Sequence, residues 1–297
     1  MKKIITVIIA FAALKTSAQQ IQTSSLFDLQ GMIHNPSLAG SNGSLIGGSY
    51  RTQWNEISGS PKTAMVFGSF DLPSLKIGLG GYLYNDETGP TSRRGVQLAF
   101  AKHIPVGEDA RFSLGIEAKG LQYSIDRAKL SATLGSDPAL GNSDNKFKFD
   151  AGFGISYNSK KWQVGAAVSQ LVQSKLDFYT GNLTSGQEAR LYRHYYLHGL
   201  YRWATDESNV VTPHVQFIYL PNAPLEFQAG VRLDHKQLFW GGLGFRWKQS
   251  LTASAGFYVN KKLMLGYSFD LYRNPVSVFD AGGGDAHEIM LRYKFKN

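Results

Sequence analysis

Apolar and polar residues alternate along most of the chain with a period of two. The stretch 225–234, LEFQAGVRLD, places apolar side chains at every second position, with polar residues or glycine between them. The stretches 111–119 (RFSLGIEAK) and 147–157 (FKFDAGFGISY) repeat this alternation. Because successive side chains of a β-strand point to opposite faces, each stretch predicts a strand with one apolar and one polar face. Helical periodicity is not convincing in any part of the chain.

Fourteen such segments can be counted in the sequence. They lie near residues 44–54, 62–70, 74–85, 93–104, 110–123, 147–158, 161–171, 190–203, 209–220, 224–234, 236–247, 250–259, 262–272 and 287–296. Most contain 9 to 14 residues, whereas strands of globular proteins average about five or six and a tilted strand that crosses an outer membrane needs about 9 to 11. The lengths and the even number predict an all-β fold, an antiparallel transmembrane β-barrel of about 14 strands in a bacterial outer membrane. The alternative is a soluble β-sandwich, which explains the long strands poorly.

The connections between the segments also favour a barrel. Bacterial outer-membrane barrels have short periplasmic turns and longer external loops. With a periplasmic N-terminus, the connections that follow even-numbered strands are all short, whereas five of the others are long: 55–61, 86–92, 124–146, 172–189 and 273–286. The remaining two, 221–223 and 248–249, are short as well. We expect the connections 124–146 and 172–189 to lie outside the cell.

The N-terminus predicts export. Residues 1–18 combine two lysines, an apolar run from Ile4 to Leu14 and small residues before a cleavage position after Ala18, which is the pattern of a signal peptide. The apolar run is too short for a membrane-spanning helix, which needs about 20 residues. We therefore divide the chain into a cleaved signal peptide (1–18), a periplasmic N-terminal segment that leads into the barrel (19–43) and the outer-membrane barrel (44–297).

Charge and cysteine content narrow the range of partners. Loss of Lys2, Lys3 and Lys15 with the signal peptide reduces the 31 basic residues to 28, against 22 acidic ones. The basic residues are scattered rather than gathered in a stripe, so nucleic acid is not an expected partner. The chain contains no cysteine, and its stability must therefore come from burial, backbone pairing or a lipid environment rather than from disulfides.

Motifs that could carry chemistry are incomplete. The string HEIML (287–291) begins like a zinc-protease motif, but it has Leu291 where that motif needs a second histidine, and it lies in a predicted strand. His194 and His198 share one face of a strand at a separation of about 13 Å, which is too far for one zinc ion. The glycine-rich strings 78–83 and 241–246 lack the strand-to-helix context of a nucleotide site, and no Gly-x-Ser-x-Gly elbow occurs. We predict no catalytic residue, no metal site and no cofactor, and we identify no small-molecule substrate.

A barrel of this size should have a polar interior. It lies between the eight-stranded barrels that side chains fill and the sixteen-stranded barrels that form channels, so its lumen should be either hydrated or occupied. The predicted inward rows carry charged residues that fit this requirement: Lys76, Glu117, Lys119, Lys148, Asp150, Arg202, Glu226, Arg232 and Arg292.

A turn-rich stretch, HNPSLAGSNGSL (34–45), precedes the first strand. The Asn35-Pro36 pair disfavours a helix across Asn35, and the glycines and polar residues that follow favour a turn. The stretch therefore predicts an ordered periplasmic segment with these candidate site residues: His34, Asn35, Pro36, Ala39 and Gly40. Two roles remain open for it. It is either a clip that folds against the barrel mouth and closes part of the lumen, or a docking surface for a periplasmic partner or an emerging cargo tail.

The final segment, HEIMLRYKFKN, predicts the strand that closes the barrel. Apolar and polar residues alternate along it, and it ends in aromatic residues that suit a membrane interface. The residues that define this closing strand are His287, Glu288, Ile289, Leu291, Tyr293 and Phe295.

Several strings together resemble a known family. They are NPSLAG (35–40), YRTQW (50–54), GSPKT (59–63), GLGGYLYNDETGP (78–90), GYSFD (266–270) and HEIMLRYKF (287–295). Their order and spacing are similar to those of the PorP/SprF family of type IX secretion system outer-membrane proteins, and the resemblance spans nearly the whole mature chain. Individually these strings are modest signals, but together they are specific.

The resemblance implies a non-enzymatic outer-membrane barrel of the Bacteroidota type. It further implies a role in protein secretion and gliding motility, either beside the secretion machinery or as a surface attachment point for adhesins. The expected partners are outer-membrane lipid, the type IX secretion machinery and the C-terminal domain of secreted cargo. Two other functions remain open from the sequence itself: a passive porin-like solute channel, and an outer-membrane hydrolase that assembles serine and histidine across strands.

Overall fold

The structure, a computed structural model, describes residues 24–55, 57–134, 144–176, 190–221, 223–272 and 284–295. Within these residues the strands are β1 (Leu45–Gln53), β2 (Lys62–Leu72), β3 (Ile77–Thr88), β4 (Thr91–Pro105), β5 (Ala110–Ile125), β6 (Asp144–Ser159), β7 (Trp162–Ser169), β8 (His194–Tyr201), β9 (Asn209–Tyr219), β10 (Glu226–His235), β11 (Phe239–Arg246), β12 (Ser250–Val259), β13 (Leu263–Tyr272) and β14 (Ala286–Lys294). Strand β8 continues past Arg202 as Trp203–Ala204. One short helix, α1 (Arg127–Leu134), follows β5.

The strands form one closed antiparallel barrel. Each strand pairs with its neighbours in the sequence, and the last strand pairs with the first over the whole length of β1, from Leu45 opposite Lys294 to Gln53 opposite Ala286. Closure gives the backbone of β1 and β14 hydrogen-bond partners on both sides. The predicted fold class and the fourteen predicted strands are confirmed.

The two ends of the barrel differ. At the end where β1 begins and β14 ends, called the β1 end below, the connections are short, such as those from Leu72 to Ile77 and from Val259 to Leu263. The opposite end, called the loop end, carries the longer connections that follow β5, β7 and β13. No helix in the described ranges is long and apolar enough to cross a membrane.

Two details of the sequence-based assignment are wrong. Residues 73–75 form a 3₁₀ turn, and Lys76 adopts a left-handed conformation with φ of 55°. Lys76 is therefore an exposed turn residue and not part of an inward row. The connection predicted at 86–92 is mostly strand, because β3 and β4 extend to a tight turn at Gly89-Pro90. An ion pair of 2.7 Å between Asp86 and Arg93 joins the two strands there.

Burial in the barrel is inverted relative to a soluble protein. Large apolar side chains such as Leu98, Phe149 and Leu243 are exposed on the outer surface. Polar side chains such as Gln97, Asp150 and Gln228 are buried on the inner surface. This distribution gives the outer surface the apolar character that a barrel in hydrocarbon requires.

Parts of several predicted features lie outside the described residues. The signal peptide (1–18) is among them, as are residues 135–143 of one expected external connection and residues 177–189 of the other. The division of the chain at residues 18 and 43 therefore stays a prediction.

The outer face can be tested at Val231, which lies in the middle of β10 with 42% of its surface exposed. We expect Val231→Arg to lower the free energy of unfolding in lipid vesicles by about 2–4 kcal/mol, because hydrocarbon cannot solvate the guanidinium near the membrane midplane. Val106→Arg is the matched control, since Val106 is exposed in the turn between β4 and β5, and it should cost less than about 1 kcal/mol. Equal effects at the two positions, measured by urea titration, would contradict the membrane assignment of this face.

Candidate functional site

Residues 24–43, called the luminal segment below, lie inside the barrel. They form three short 3₁₀ turns, Phe27–Leu29, Gly31–Ile33 and Pro36–Leu38. Asn35 caps the third turn from an extended conformation, with φ of −147° and ψ of 108°, which is the conformation that a following proline favours. The local sequence therefore forms a compact segment of short turns rather than a continuous α-helix.

The luminal segment crosses much of the length of the lumen. Ser25 bonds Asp270 and Arg51, which lie near the loop end of their strands. Asn42 accepts a hydrogen bond from Arg202, beside the turn that follows β8 at the β1 end. The chain then passes directly into β1. The segment thus extends from the loop half of the lumen to the β1 end.

Hydrogen bonds tie the luminal segment to strands around the barrel. Its partners lie on β1, β2, β5, β6, β7, β8, β10, β13 and β14. Apolar contacts add to these bonds, because Leu26, Met32 and Ala39 belong to one buried cluster with Trp240 and Met290 of the barrel wall. The segment therefore supplies part of the protein core.

Asn35 is the most fully bonded of the predicted site residues. Its side-chain oxygen accepts from the backbone N–H of Ser37 at 3.0 Å and from the Ser37 hydroxyl at 2.7 Å. Its amide nitrogen lies 3.0 Å from the carbonyl of Ile155, 3.3 Å from that of Ala166 and 2.9 Å from Nε2 of His198. One wholly buried side chain thus shapes the turn and joins it to β6, β7 and β8.

The other predicted site residues of the stretch are buried as well. His34 packs against Tyr196 with ring centroids 5.4 Å apart. His34 is 7% exposed and lies among the inward side chains of the barrel wall. Pro36 occupies the first position of the third turn.

Ala39 and Gly40 lie against β2, β3 and β5. Gly40 has a φ of 71°, which favours glycine; its N–H donates to Ser69 at 2.7 Å, and its carbonyl accepts from Arg111 at 3.1 Å. A Cβ added at Gly78 would lie 1.9 Å from the carbonyl oxygen of Ala39. The glycine-rich string that begins at Gly78 is therefore needed for close approach to the luminal segment.

An ion cluster holds the loop-end part of the luminal segment. Arg51 lies 2.6 Å from Asp270 and 3.3 Å from Glu288, and it donates to the hydroxyl of Ser25 at 2.9 Å. The hydroxyl of Ser24 donates to Glu288 at 2.6 Å. Because charged groups are costly to bury without partners, this network depends on all of its members.

A second charged contact lies nearer the β1 end. Asp28 forms an ion pair with Arg232, which also bonds Asp234 at 2.9 Å. Arg292 donates to the backbone carbonyl of Leu29 at 3.2 Å. The inward positions of Arg232 and Arg292 follow from strand periodicity, whereas their partners in the luminal segment carry no signal in the sequence.

The luminal segment forms one wall of each of two cavities. On its loop side, a cavity of about 530 Å³ is lined by Tyr82, Tyr84, Tyr123 and Tyr196, among other residues. At the β1 end, a cavity of about 400 Å³ is bordered by Asp28, Leu29 and Asn42 of the segment and its junction with β1. Sequence periodicity did not identify either cavity, because both depend on where the segment packs.

The histidines that suggested metal chemistry have other contacts. His194 bonds the carbonyl of Tyr192 at 2.9 Å, and His198 bonds Asn35. His287 contacts the hydroxyl of Tyr267 at 2.7 Å on the outer side of the barrel, whereas Glu288 is buried inside. The described residues contain no group of three or more side chains placed to hold a metal ion.

The predicted closing-strand residues lie in β14 or just after it. Ile289, Leu291 and Tyr293 are exposed on the outer surface, and Glu288 points into the ion cluster. Phe295 follows the strand, and its N–H donates to the carbonyl of Ser44 at 2.9 Å. The backbone pairing of first and last strand thus continues to the junction with the luminal segment.

Comparison with known families identifies the kind of protein that this barrel is. Residues 15–293 match the family described as Type IX secretion system membrane protein PorP/SprF. The chain belongs to this family. The resemblance expected from its sequence strings is therefore confirmed, and no curated protein matches the PorP/SprF chain in sequence.

A solved structure shares the fold of this PorP/SprF protein, and a second matches it over a similar share of the chain. The CymD monoaromatic hydrocarbon channel is similar with a TM-score of 0.53 and 11% identity, over 90% of this chain and 93% of its own. The Acinetobacter baumannii outer membrane protein Omp33 has a TM-score of 0.48 and 7% identity, over 85% of this chain and 98% of its own. At such identities the likeness concerns the barrel fold alone.

The attachment of the luminal segment can be tested at Asn35. We expect Asn35→Ala to accelerate amide hydrogen exchange in peptides from 24–43 by about tenfold or more, because each buried polar group left unpaired costs about 1–3 kcal/mol. Ser41→Ala is the control, since the Ser41 hydroxyl has no hydrogen-bond partner in the described structure, and it should leave exchange unchanged. If both variants exchange like the parent protein, Asn35 does not hold the segment.

Proposed function

We propose that this chain is a non-enzymatic outer-membrane component of the type IX secretion system that supports secretion or surface anchoring of cargo such as adhesins. The observation that carries the proposal is the occupied lumen of a PorP/SprF barrel. The luminal segment is bonded to nine strands and belongs to the buried core. Such a barrel is suited to a fixed role in an assembly.

A passive porin-like channel is the second candidate function. A porin needs a continuous hydrated path through its barrel. Here the path would have to pass a segment whose Asn35 and Ser37 are wholly buried, and the two cavities lie on different sides of that segment. These observations favour the secretion role over bulk solute flow.

We assign the luminal segment the role of a clip that closes part of the lumen. Its predicted site residues His34, Asn35, Pro36, Ala39 and Gly40 are all buried, so a partner could reach them only by displacing the segment. Docking would instead use the half-exposed residues Ser41 and Asn42. The clip and the docking surface therefore involve different parts of the same segment.

The barrel would reach the outer membrane after cleavage of residues 1–18, with its β1 end toward the periplasm and its loop end outside. The short connections at the β1 end support this orientation. In this arrangement the secretion machinery and outer-membrane lipid surround the barrel, and the C-terminal domain of a secreted cargo binds at one of its two ends.

The secretion role can be tested by gene deletion. We expect the deletion to remove a specific set of proteins from the medium or the cell surface while leaving uptake of small solutes unchanged, and re-expression of the chain to restore them. A changed uptake with an intact set of secreted proteins would favour the channel and contradict our proposal.

The same strain separates the two roles of the luminal segment. Cells that express the chain with Asn35→Ala and Pro36→Ala together should show solute leakage or a lower melting temperature of the barrel if the segment is a clip. Glu108→Ala, in the exposed turn between β4 and β5, is the control and should behave as the parent protein. Lost cargo display from a stable, tight barrel would favour docking, and normal behaviour in all three assays would exclude both roles.

The orientation can be tested with epitope tags. A tag inserted between residues 135 and 143 should be reached by antibody on intact cells, because that connection follows β5 at the loop end. A tag in the short turn at Glu108, at the β1 end, should be reached only after the outer membrane is permeabilised. The reverse pattern would invert the topology.

A further inference from the structure

The cavity at the β1 end is strongly basic. This basic chamber, of about 400 Å³, is lined by five basic side chains: Lys160, Arg202, Arg232, Arg292 and Lys294. Among the described residues, Asp28 is the only acidic one that lines it. Its rim is open to water, because Lys294 is exposed and the Lys160 side chain is 76% exposed. Lys160 forms an ion pair of 2.6 Å with Asp109 outside the chamber, so the arginines carry the unbalanced charge of the chamber.

Two of the arginines lack an acidic partner at close range. Asp28 is engaged by Arg232. Arg202 donates instead to the side-chain oxygen of Gln163 at 3.1 Å, to that of Asn42 at 3.4 Å and to the backbone carbonyl of Ser159 at 3.5 Å. Arg292 donates to the carbonyl of Leu29 at 3.2 Å. Among the described residues, neither Arg202 nor Arg292 lies within 4.0 Å of a carboxylate oxygen.

The electrostatic balance of the chamber favours an anion. Arg232 lies close enough to repel both Arg202 and Arg292, while Asp28 and Asp234 attract Arg292 from beyond ion-pair distance. A guanidinium carries five N–H donors in a planar fork. The contacts above use three of the five donors of Arg202 and one of the five donors of Arg292. An oxyanion would accept hydrogen bonds from the remaining donors, and its negative charge would reduce the repulsion among the three arginines.

We propose that the basic chamber binds a small molecule that carries a phosphate group, and that Arg202 and Arg292 donate hydrogen bonds to the phosphate oxygens. A phosphate offers several acceptor oxygens and more negative charge than a carboxylate, which suits guanidinium groups that approach from different strands. The enclosed position between the luminal segment and the barrel wall suits a small ligand rather than a macromolecule. This inference does not depend on the proposed role in secretion.

Calorimetric titration of the purified full-length barrel in detergent tests the proposal. Inorganic phosphate and glycerol phosphate are titrated separately in a chloride buffer, with acetate as the carboxylate control. We expect saturable binding in at least one phosphate arm and much weaker binding of acetate. Binding of inorganic phosphate indicates a free ion as the source, whereas binding of glycerol phosphate alone indicates a phosphate ester.

Variants assign the binding to the chamber. Arg202→Gln and Arg292→Gln should each weaken phosphate binding by about tenfold, because each variant loses charge-assisted hydrogen bonds to the phosphate. Lys76→Gln is the control, since it removes the same charge from an exposed turn at the same end of the barrel, and it should bind as the parent protein does. Heat-dependent gel mobility shows whether each variant is folded. If a glutamine variant is not, the lysine variant at the same position, Arg202→Lys or Arg292→Lys, replaces it, because lysine keeps the charge without the fork.

Three results would overturn the proposal. The first is the absence of binding in both phosphate arms. The second is binding that the folded Arg202 and Arg292 variants retain at parental affinity. The third is equal binding of acetate and phosphate, which would indicate general attraction of anions by the positive charge of the chamber rather than a phosphate site.

Discussion

The architecture depends on one constraint, which is that hydrocarbon offers no hydrogen-bond partner to a peptide group. A chain that crosses the membrane as strands must therefore pair its first strand with its last, and β1 pairs with β14 along its whole length. Closure places one face of every strand on the outside and the other on the inside. The alternation of apolar and polar residues, the exposed outer Leu243 and the buried inner Gln228 all follow from it.

Closure also determines what the interior must contain. A ring of inward polar side chains needs water or protein partners, and in this family member the protein supplies many of them through its own N-terminal residues. Ser24 and Ser25 donate hydrogen bonds to Glu288 and Asp270, the two carboxylates that pair with Arg51. Asn35 satisfies two strand carbonyls at a single point. The luminal segment is thus both a partial closure of the barrel and a component of its stability.

The barrel was predictable from the sequence because its signal is local and repeated. In each strand of 8 to 16 residues, the alternation of apolar and polar residues shows which side chains face outward and which face the lumen. The closing strand could be recognised from this alternation and from its terminal aromatic residues. The exceptions are also local: Lys76 lies in a turn that resembles the start of a strand, and the Asp86–Arg93 pair extends a hairpin where a loop was expected.

The interior was less predictable because its contacts are not local. The turn at Asn35-Pro36 could be foreseen, but not that Asn35 would reach His198, 163 positions away, nor that Gly78 would leave room for Ala39. A series of turns without periodicity does not show where the chain runs relative to the barrel. The sequence therefore predicted an ordered segment without placing it in the lumen. The basic chamber shares this property, since its arginines are spread over β10, β14 and the break in β8 and are joined only by closure.

The continuity of the luminal segment with β1 has a consequence for how the molecule is assembled. The segment is the first part of the described chain, yet its partners include β13 and β14, which are the last strands to be synthesised. Its bulky residues Phe27 and Met32 are buried inside the closed barrel. The simplest order of events therefore begins with a curved, open sheet that gathers the segment against its inner face. Pairing of β14 with β1 then closes the barrel, so that binding of the segment and closure are kinetically linked steps. A defect in the first twenty described residues would therefore delay the insertion of the last strand.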